Sequence, residues 1–268
     1  MSSTQIRKTR IGDVPVLWVE PAASAGKREL ILFLPSFGGS KEQVLDQLQD
    51  LASRGFVGMS FDPPEHGERG AESPKELFTR VFSSFRRYMW PILGQTTLDC
   101  LRVIEWATSS LDVDSRIRLG GLSMGGDVAV AAAGLEGRVG RVVAVVATPD
   151  WLRPGMHDPF DVTKLINQGD STTYGKFFCD TLNPAGHLGR YEREFEINFL
   201  CGELDKHIPP DGALNFQRSL AATGSKAARV NVGFIAQLAH MDVRDSSRWW
   251  PRCREQLVAP WPLAWTAR

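Results

Sequence analysis

From residue 29 onward the chain alternates short apolar runs with amphipathic stretches, and that order leaves few folds open. ELILFLP (29–35), FVGMSFD (56–62), RIRLGG (116–121), RVVAVVA (141–147), EINFLCGELD (196–205) and RVNVGFI (229–235) have the length and residue types of buried strands. Between them lie segments with helical spacing. Residues 41–54 put Val44, Leu45, Leu48, Leu51 and Ala52 on one face, with Ser40 as N-cap and Gly55 as stop. Pro74 opens a helix pair or one broken helix over 74–93, and its Phe78, Phe82, Phe85 and Met89 form a stripe that reads as core. Further helices are expected over 95–110, just after Ser123, over 210–222 and over 245–258. Strands joined by helices rather than tight turns pair in parallel, which predicts an α/β fold: a mostly parallel central sheet with helices on both faces. Residues 5–20, interrupted by GDVP, read as an edge hairpin.

The pattern runs unbroken through the chain, so residues 1–268 are expected to form a single domain. Residues 148–192 are the exception. They lose regular period and hold Pro149, Pro154, Pro159 and Pro184, yet they are too apolar for a solvated linker. This predicts a loop-rich cap inserted into the domain. The composition excludes several classes of partner. Lys plus Arg and Asp plus Glu each number 31, a formal net charge of zero, so the basic face of a nucleic-acid binder is not expected. No apolar run approaches the roughly 18 residues of a membrane span, and MSSTQIRKTRIGD lacks the apolar centre of a secretory signal. Cys100, Cys179, Cys201 and Cys253 are widely spaced, which argues for reduced thiols in the cytoplasm rather than disulfides or structural zinc. The tryptophans of the tail (Trp249, Trp250, Trp261, Trp265) read either as core or as an oligomer contact.

The chemistry concentrates at GGLSMGG (120–126). Gly121-Leu122-Ser123-Met124-Gly125 fits G-x-S-x-G, a pattern short enough to recur by chance. Its position gives it weight: strand-like RIRL precedes it and an alanine-rich helix follows, the context in which a serine hydroxyl is exposed on a strained turn. Such a serine needs a base oriented by an acid. Asp205 ends its strand-like run, and His240 lies in the loop after the last one, so Ser123, Asp205 and His240 are the candidate catalytic set. Glu203 and Asp242 are alternative acids. His207 lies too close to Asp205 along the chain to serve easily as the base. Backbone donors for an oxyanion are expected at Met124 and at Phe37 in LPSFGGS, with Ser36 second; Pro35 has no N–H.

Taken in order, LPSFGGS, DPPEHGERG, GGLSMGG, GELDKHIPP and LAHMD resemble the serine hydrolases of the α/β-hydrolase superfamily, most closely the dienelactone hydrolase-like and small bacterial esterase branches. The resemblance spans about residues 14–258. It implies the α/β-hydrolase fold and a carboxylic-ester hydrolase with Ser123 as nucleophile, Asp205 as acid, His240 as base, and the N–H groups of Phe37 and Met124 as oxyanion donors. Two departures stand out: Pro35-Ser36 occupies the place of the family's usual His-Gly, and dienelactone hydrolases proper use a cysteine where this chain has Ser123. No cofactor and no metal are expected; His66 and Glu65 belong to a D-x-x-x-H-G loop that is structural in the resembled family. Trp151, Met156, Phe160 and Phe177 are candidate walls of an apolar substrate pocket for a small-molecule ester. The same catalytic set would serve a lactone, thioester or amide, or acyl transfer, and a hydrolase scaffold can also act as a non-catalytic binding protein.

Overall fold

In the computed structural model, which describes residues 4–22, 27–224 and 228–261, one sheet carries the chain. Its strands are β1 (Gln5–Ile11), β2 (Val14–Glu20), β3 (Arg28–Leu34), β4 (Val57–Phe61), β5 (Val113–Leu122), β6 (Val139–Val145), β7 (Phe195–Gly202) and β8 (Ala228–Ile235). Their spatial order is β1-β2-β4-β3-β5-β6-β7-β8. β1 and β2 form the expected edge hairpin, and β2 also runs antiparallel to β4. Every pairing from β4 across to β8 is parallel.

The strands bury both faces. In β3, Leu30, Leu32 and Leu34 join one apolar layer, while Ile31 and Phe33 join the other. The first layer is closed by α3 (Phe85–Ser110), α4 (Met124–Ala133) and α6 (Asp211–Ala222); the second by α1 (Leu45–Ser53) and α7 (Trp250–Val258). Two-sided burial explains why the central strands read as continuous apolar runs rather than alternating ones. Trp249, Trp250 and Trp261 are buried within the chain, Trp249 stacked 6.2 Å from Phe33. Trp265 lies outside the described residues.

Several boundaries differ from those expected, each for a local reason. Residues 41–44 form a 3₁₀ turn and α1 starts at Leu45. Ser40 makes no side-chain cap bond, because its hydroxyl donates to the Glu42 carboxylate at 3.0 Å. The expected break near residue 94 is absent: α2 (Pro74–Ser83) ends at Ser84, and α3 runs as one helix through Pro91 and Gly94. Gly94 is helical because Phe178 lies against its backbone, where any Cβ would collide. The last helix starts at Trp250 rather than residue 245. Asp245 draws the preceding backbone into a 3₁₀ turn by accepting from the Ser247 N–H, and Pro251, lacking an N–H, suits the first turn of α7. Segment 148–192 is less irregular than its composition implies. It contains α5 (Thr173–Leu182), which packs on α3, and Thr172 caps it by accepting from the Gly175 N–H at 3.0 Å. No helix among the described residues is long and apolar enough to cross a membrane.

Candidate active site

Ser123 links β5 to α4 with φ +48° and ψ −115°, a backbone conformation rarely adopted by residues other than glycine. The surrounding glycines make that turn sterically possible. A Cβ at Gly125 would lie 2.5 Å from the Leu34 and Pro35 carbonyl oxygens, and one at Gly121 would strike the backbone of Gly125. Backbone bonds hold the turn: Ser123 N–H donates to Val145 O at 2.8 Å, and Asp127 N–H donates to Ser123 O at 3.0 Å.

Two loops at the same edge of the sheet bring the other partners. The turn after β7 is tied to the loop after β8 by Glu203 N–H to Ile235 O at 3.1 Å and Leu204 N–H to Leu238 O at 3.0 Å. His240 Nδ1 thereby reaches Asp205 Oδ2 at 2.7 Å, and His240 Nε2 reaches Ser123 Oγ at 3.1 Å. A carboxylate oxygen accepts, so Nδ1 carries the proton and the Nε2 lone pair faces the serine hydroxyl. The second oxygen of Asp205 accepts from the His207 and Ile208 N–H groups at 2.9 and 2.8 Å, which sets the angle of the carboxylate. Neither alternative acid takes this position. Glu203 accepts from the Gln237 N–H, while Asp242 accepts from the Ala239 N–H and pairs with Arg248, holding the turn that carries His240.

In the donor loop, the Ser36 and Gly39 N–H groups are engaged, whereas those of Phe37 and Gly38 are not, among the described residues. The Ser36 N–H is committed to Gln43 Oε1 at 2.9 Å, and Gln43 Nε2 in turn donates to Ser36 Oγ. Gly38 takes φ +80°, and the Gly39 N–H closes back on Ser36 O at 3.0 Å. The Phe37 N–H has no acceptor among the described residues, and its ring is wedged against His66, Phe78 and Phe82. Met124 opens α4, so its N–H lacks a partner within the helix.

These groups line a cavity of about 230 Å³. The substrate walls expected from the sequence are not its walls. Trp151 is fully buried in the core: its N–H donates to Asn183 and its carbonyl accepts from Trp90. Met156 is buried beneath Arg153, which donates to its sulfur at 3.8 Å. Phe177 is 61% exposed on the outer side of α5. Phe160 is 60% exposed and lines a neighbouring groove, 5.4 Å from Phe78. The stripe assigned to core serves the cavity as well. Phe85 and Met89 are buried in the core with Phe78 and Phe82 packed against it, and Phe78, Phe82 and Met89 also form the apolar wall over Ser123. The interruption expected within 74–93 falls at Ser84, a position the spacing does not mark, and it lets α2 turn its aromatics toward the cavity.

Arg153 and His207, which sequence reasoning did not place in the wall, line it together with Gln43 and Arg244. Arg153 forms a short, buried ion pair with Asp127, four residues beyond Ser123 on α4, and Asp127 also accepts from the Thr148 N–H at 2.7 Å. Burial nevertheless pushes the Asp127 carboxyl up to about 6. His66 donates from Nδ1 to Pro64 O, and burial lowers its ring below the ordinary histidine range. Asp62 is spent on the Lys41 ammonium and on backbone N–H groups. No group of three or more His, Cys, Asp or Glu among the described residues is placed to hold a metal ion.

A strained serine at a strand-to-helix turn, approached by a histidine from the final strand-end loop, defines a class, and comparison with known proteins agrees. The α/β-hydrolase fold family profile matches residues 29–229, so the chain belongs to that family and is a hydrolase by membership. A Thermus thermophilus protein superposes with TM-score 0.70 at 22% identity, covering 96% of this chain and 99% of its own. A candidate dienelactone hydrolase from Klebsiella pneumoniae gives TM-score 0.67 at 16% identity, with 96% and 100% covered. The acylaminoacyl peptidase of Pyrococcus horikoshii gives 0.66 at 18%, with 92% of this chain but 40% of the peptidase covered. At these identities the likeness is one of fold. No curated protein matches the sequence.

Proposed function

We propose that the protein hydrolyses a small carboxylic ester through an acyl-enzyme formed on Ser123. The observation that carries this reading is the single continuous relay from Asp205 through His240 to Ser123 Oγ, with Phe37, whose N–H is unengaged among the described residues, lining the same cavity. His240 Nε2 takes the hydroxyl proton as Oγ attacks the ester carbonyl carbon. Negative charge develops on the carbonyl oxygen, where the Phe37 and Met124 N–H groups receive it. Collapse breaks the bond to the alcohol oxygen, which takes the proton from His240 as it leaves. A water molecule then gives its proton to His240 and attacks the acyl carbon; collapse breaks the bond to Ser123 Oγ, which takes the proton back from His240 as the acid is released. Asp205 keeps the imidazole in the required tautomer throughout. No step draws on a cofactor. Four unpaired, buried cysteines support a reducing, cytoplasmic setting.

Ser123→Ala tests the scheme with a chromogenic short-chain ester. The expected loss in kcat is on the order of 10³-fold or more, with unchanged fold. Full activity in that variant would overturn it. Fluorophosphonate labelling of Ser123 separates a hydrolase from a binding protein on the same scaffold, and a panel of lactones, thioesters and amides ranks the acyl substrates.

A further inference from the structure

One imidazole in the cavity has no part in the relay. His207 is only 5% exposed, yet it lines the Ser123 cavity, its ring centroid 4.5 Å from that of His240 and 5.6 Å from that of Phe82. Its Nδ1 lies 2.7 Å from the His157 carbonyl oxygen. A carbonyl can only accept, so the proton of the neutral ring sits on Nδ1 and Nε2 is left as a bare lone pair. Nε2 has no hydrogen-bond partner among the described residues and keeps some solvent access. Burial holds the ring neutral, well below the ordinary histidine range, and the adjoining His240 acts in the same direction.

Its place in the cavity gives this lone pair a meaning. His240 must hand its proton to the departing atom, so the leaving group lies on the His240 side of Ser123. That is the side His207 occupies. The neighbouring side chains there cannot accept a hydrogen bond: Phe82 and Met89 are apolar, and Arg153 offers only donors, one of them engaged by Asp127. A buried acceptor left without a donor in the closed complex costs free energy, so a leaving group that supplies one is favoured over one that does not.

We propose that His207 Nε2 is the acceptor of a leaving-group subsite, selecting substrates whose alcohol fragment carries a hydroxyl or N–H donor near the scissile ester. The inference rests on the hydrolytic reading above and adds a substrate class to it. The apolar wall of Phe78, Phe82 and Met89 makes no such demand.

Two esters of equal acyl group and similar size, 2-hydroxyethyl butyrate and 2-methoxyethyl butyrate, differ in that one donor. The ratio of their kcat/KM values in the full chain is the readout, and a general loss of activity cancels from it. The expected ratio is about tenfold in favour of the hydroxyethyl ester, the worth of one neutral hydrogen bond. His207→Phe keeps a ring of similar size without the acceptor, and its ratio should fall to roughly one. His207→Gln restores a carbonyl acceptor and should recover part of the preference. A ratio near one in the native protein, or a ratio retained in His207→Phe, overturns the proposal. If the native protein hydrolyses neither ester, the ester reading itself fails. The same ratio is then read from how well each compound protects Ser123 against fluorophosphonate labelling, where equal protection overturns the subsite.

Discussion

The β5–α4 turn and segment 148–192 meet over Ser123, but different forces hold them. Backbone holds the turn: glycines at 121 and 125 admit close approach, and Ser123 and Asp127 N–H groups bond to main-chain oxygens. Side chains from distant parts of the chain hold the segment. Asn183 and Trp90 fix Trp151, Asp127 fixes Arg153, and Phe178 of α5 seats on Gly94. Where backbone sets geometry, a short residue pattern specifies a role. Where remote side chains set it, the pattern specifies only that a residue is apolar. Phe177 and Trp151 looked equivalent on that criterion, and one is exposed while the other is fully buried.

The largest effect should come from the relay that the backbone-held loops assemble. Asp205→Asn keeps the shape but can present an N–H to His240 Nδ1, favouring the wrong tautomer; a fall in kcat of about 10⁴-fold is expected by steady-state ester hydrolysis. A loss under tenfold would show that Asp205 is only a strut. The joint between the two regions comes next. Asp127→Ala strands the Arg153 guanidinium in the interior and should cost about 3–5 kcal/mol in denaturant unfolding.

The same pair gives a pH signature. Burial raises the Asp127 carboxyl from 3.8 to about 6 in the folded chain. Between those values the folded state keeps a proton that the unfolded state has released. This contribution therefore favours folding at acid pH and is lost as pH rises through about 6. Unfolding free energy of the native chain should decline relative to Asp127→Asn by about 2 kcal/mol between roughly pH 4.5 and 7, measured by urea titration at each pH. The smallest effect is expected where the sequence pointed to binding and the structure shows solvent: Phe177→Ala should shift stability by no more than about 0.5 kcal/mol and leave KM unchanged.

Much of the sheet was legible because two-sided burial writes itself as strand-length apolar runs, and β3 to β8 lie close to where those runs predict. That Ser123, Asp205 and His240 come within hydrogen-bond reach was legible because each ends or follows such a run, and parallel strands deliver their C-terminal loops to one edge. The helix boundaries were less so. Gly94 is an ordinary breaker by composition, but Phe178, more than eighty residues later, makes glycine the residue that fits mid-helix. Ser40 has the chemistry of a cap, but its hydroxyl is drawn to the Glu42 carboxylate instead. His207 was set aside because two residues from Asp205 seemed too near for a base. That judgement concerned its reach to Ser123 and missed its reach to the cavity, which depends on His157 gripping Nδ1 from another segment.

The order of strands and helices, the elbow at Ser123 and the chain positions of Asp205 and His240 follow from residue pattern, because burial, glycine clearance and strand polarity act over a few residues. The walls of the cavity do not. Which aromatic faces Ser123 and which histidine offers a bare nitrogen depend on contacts between segments tens to more than a hundred residues apart. A side chain's direction there is set by whichever partner reaches it, and that competition is settled only when the whole chain has packed.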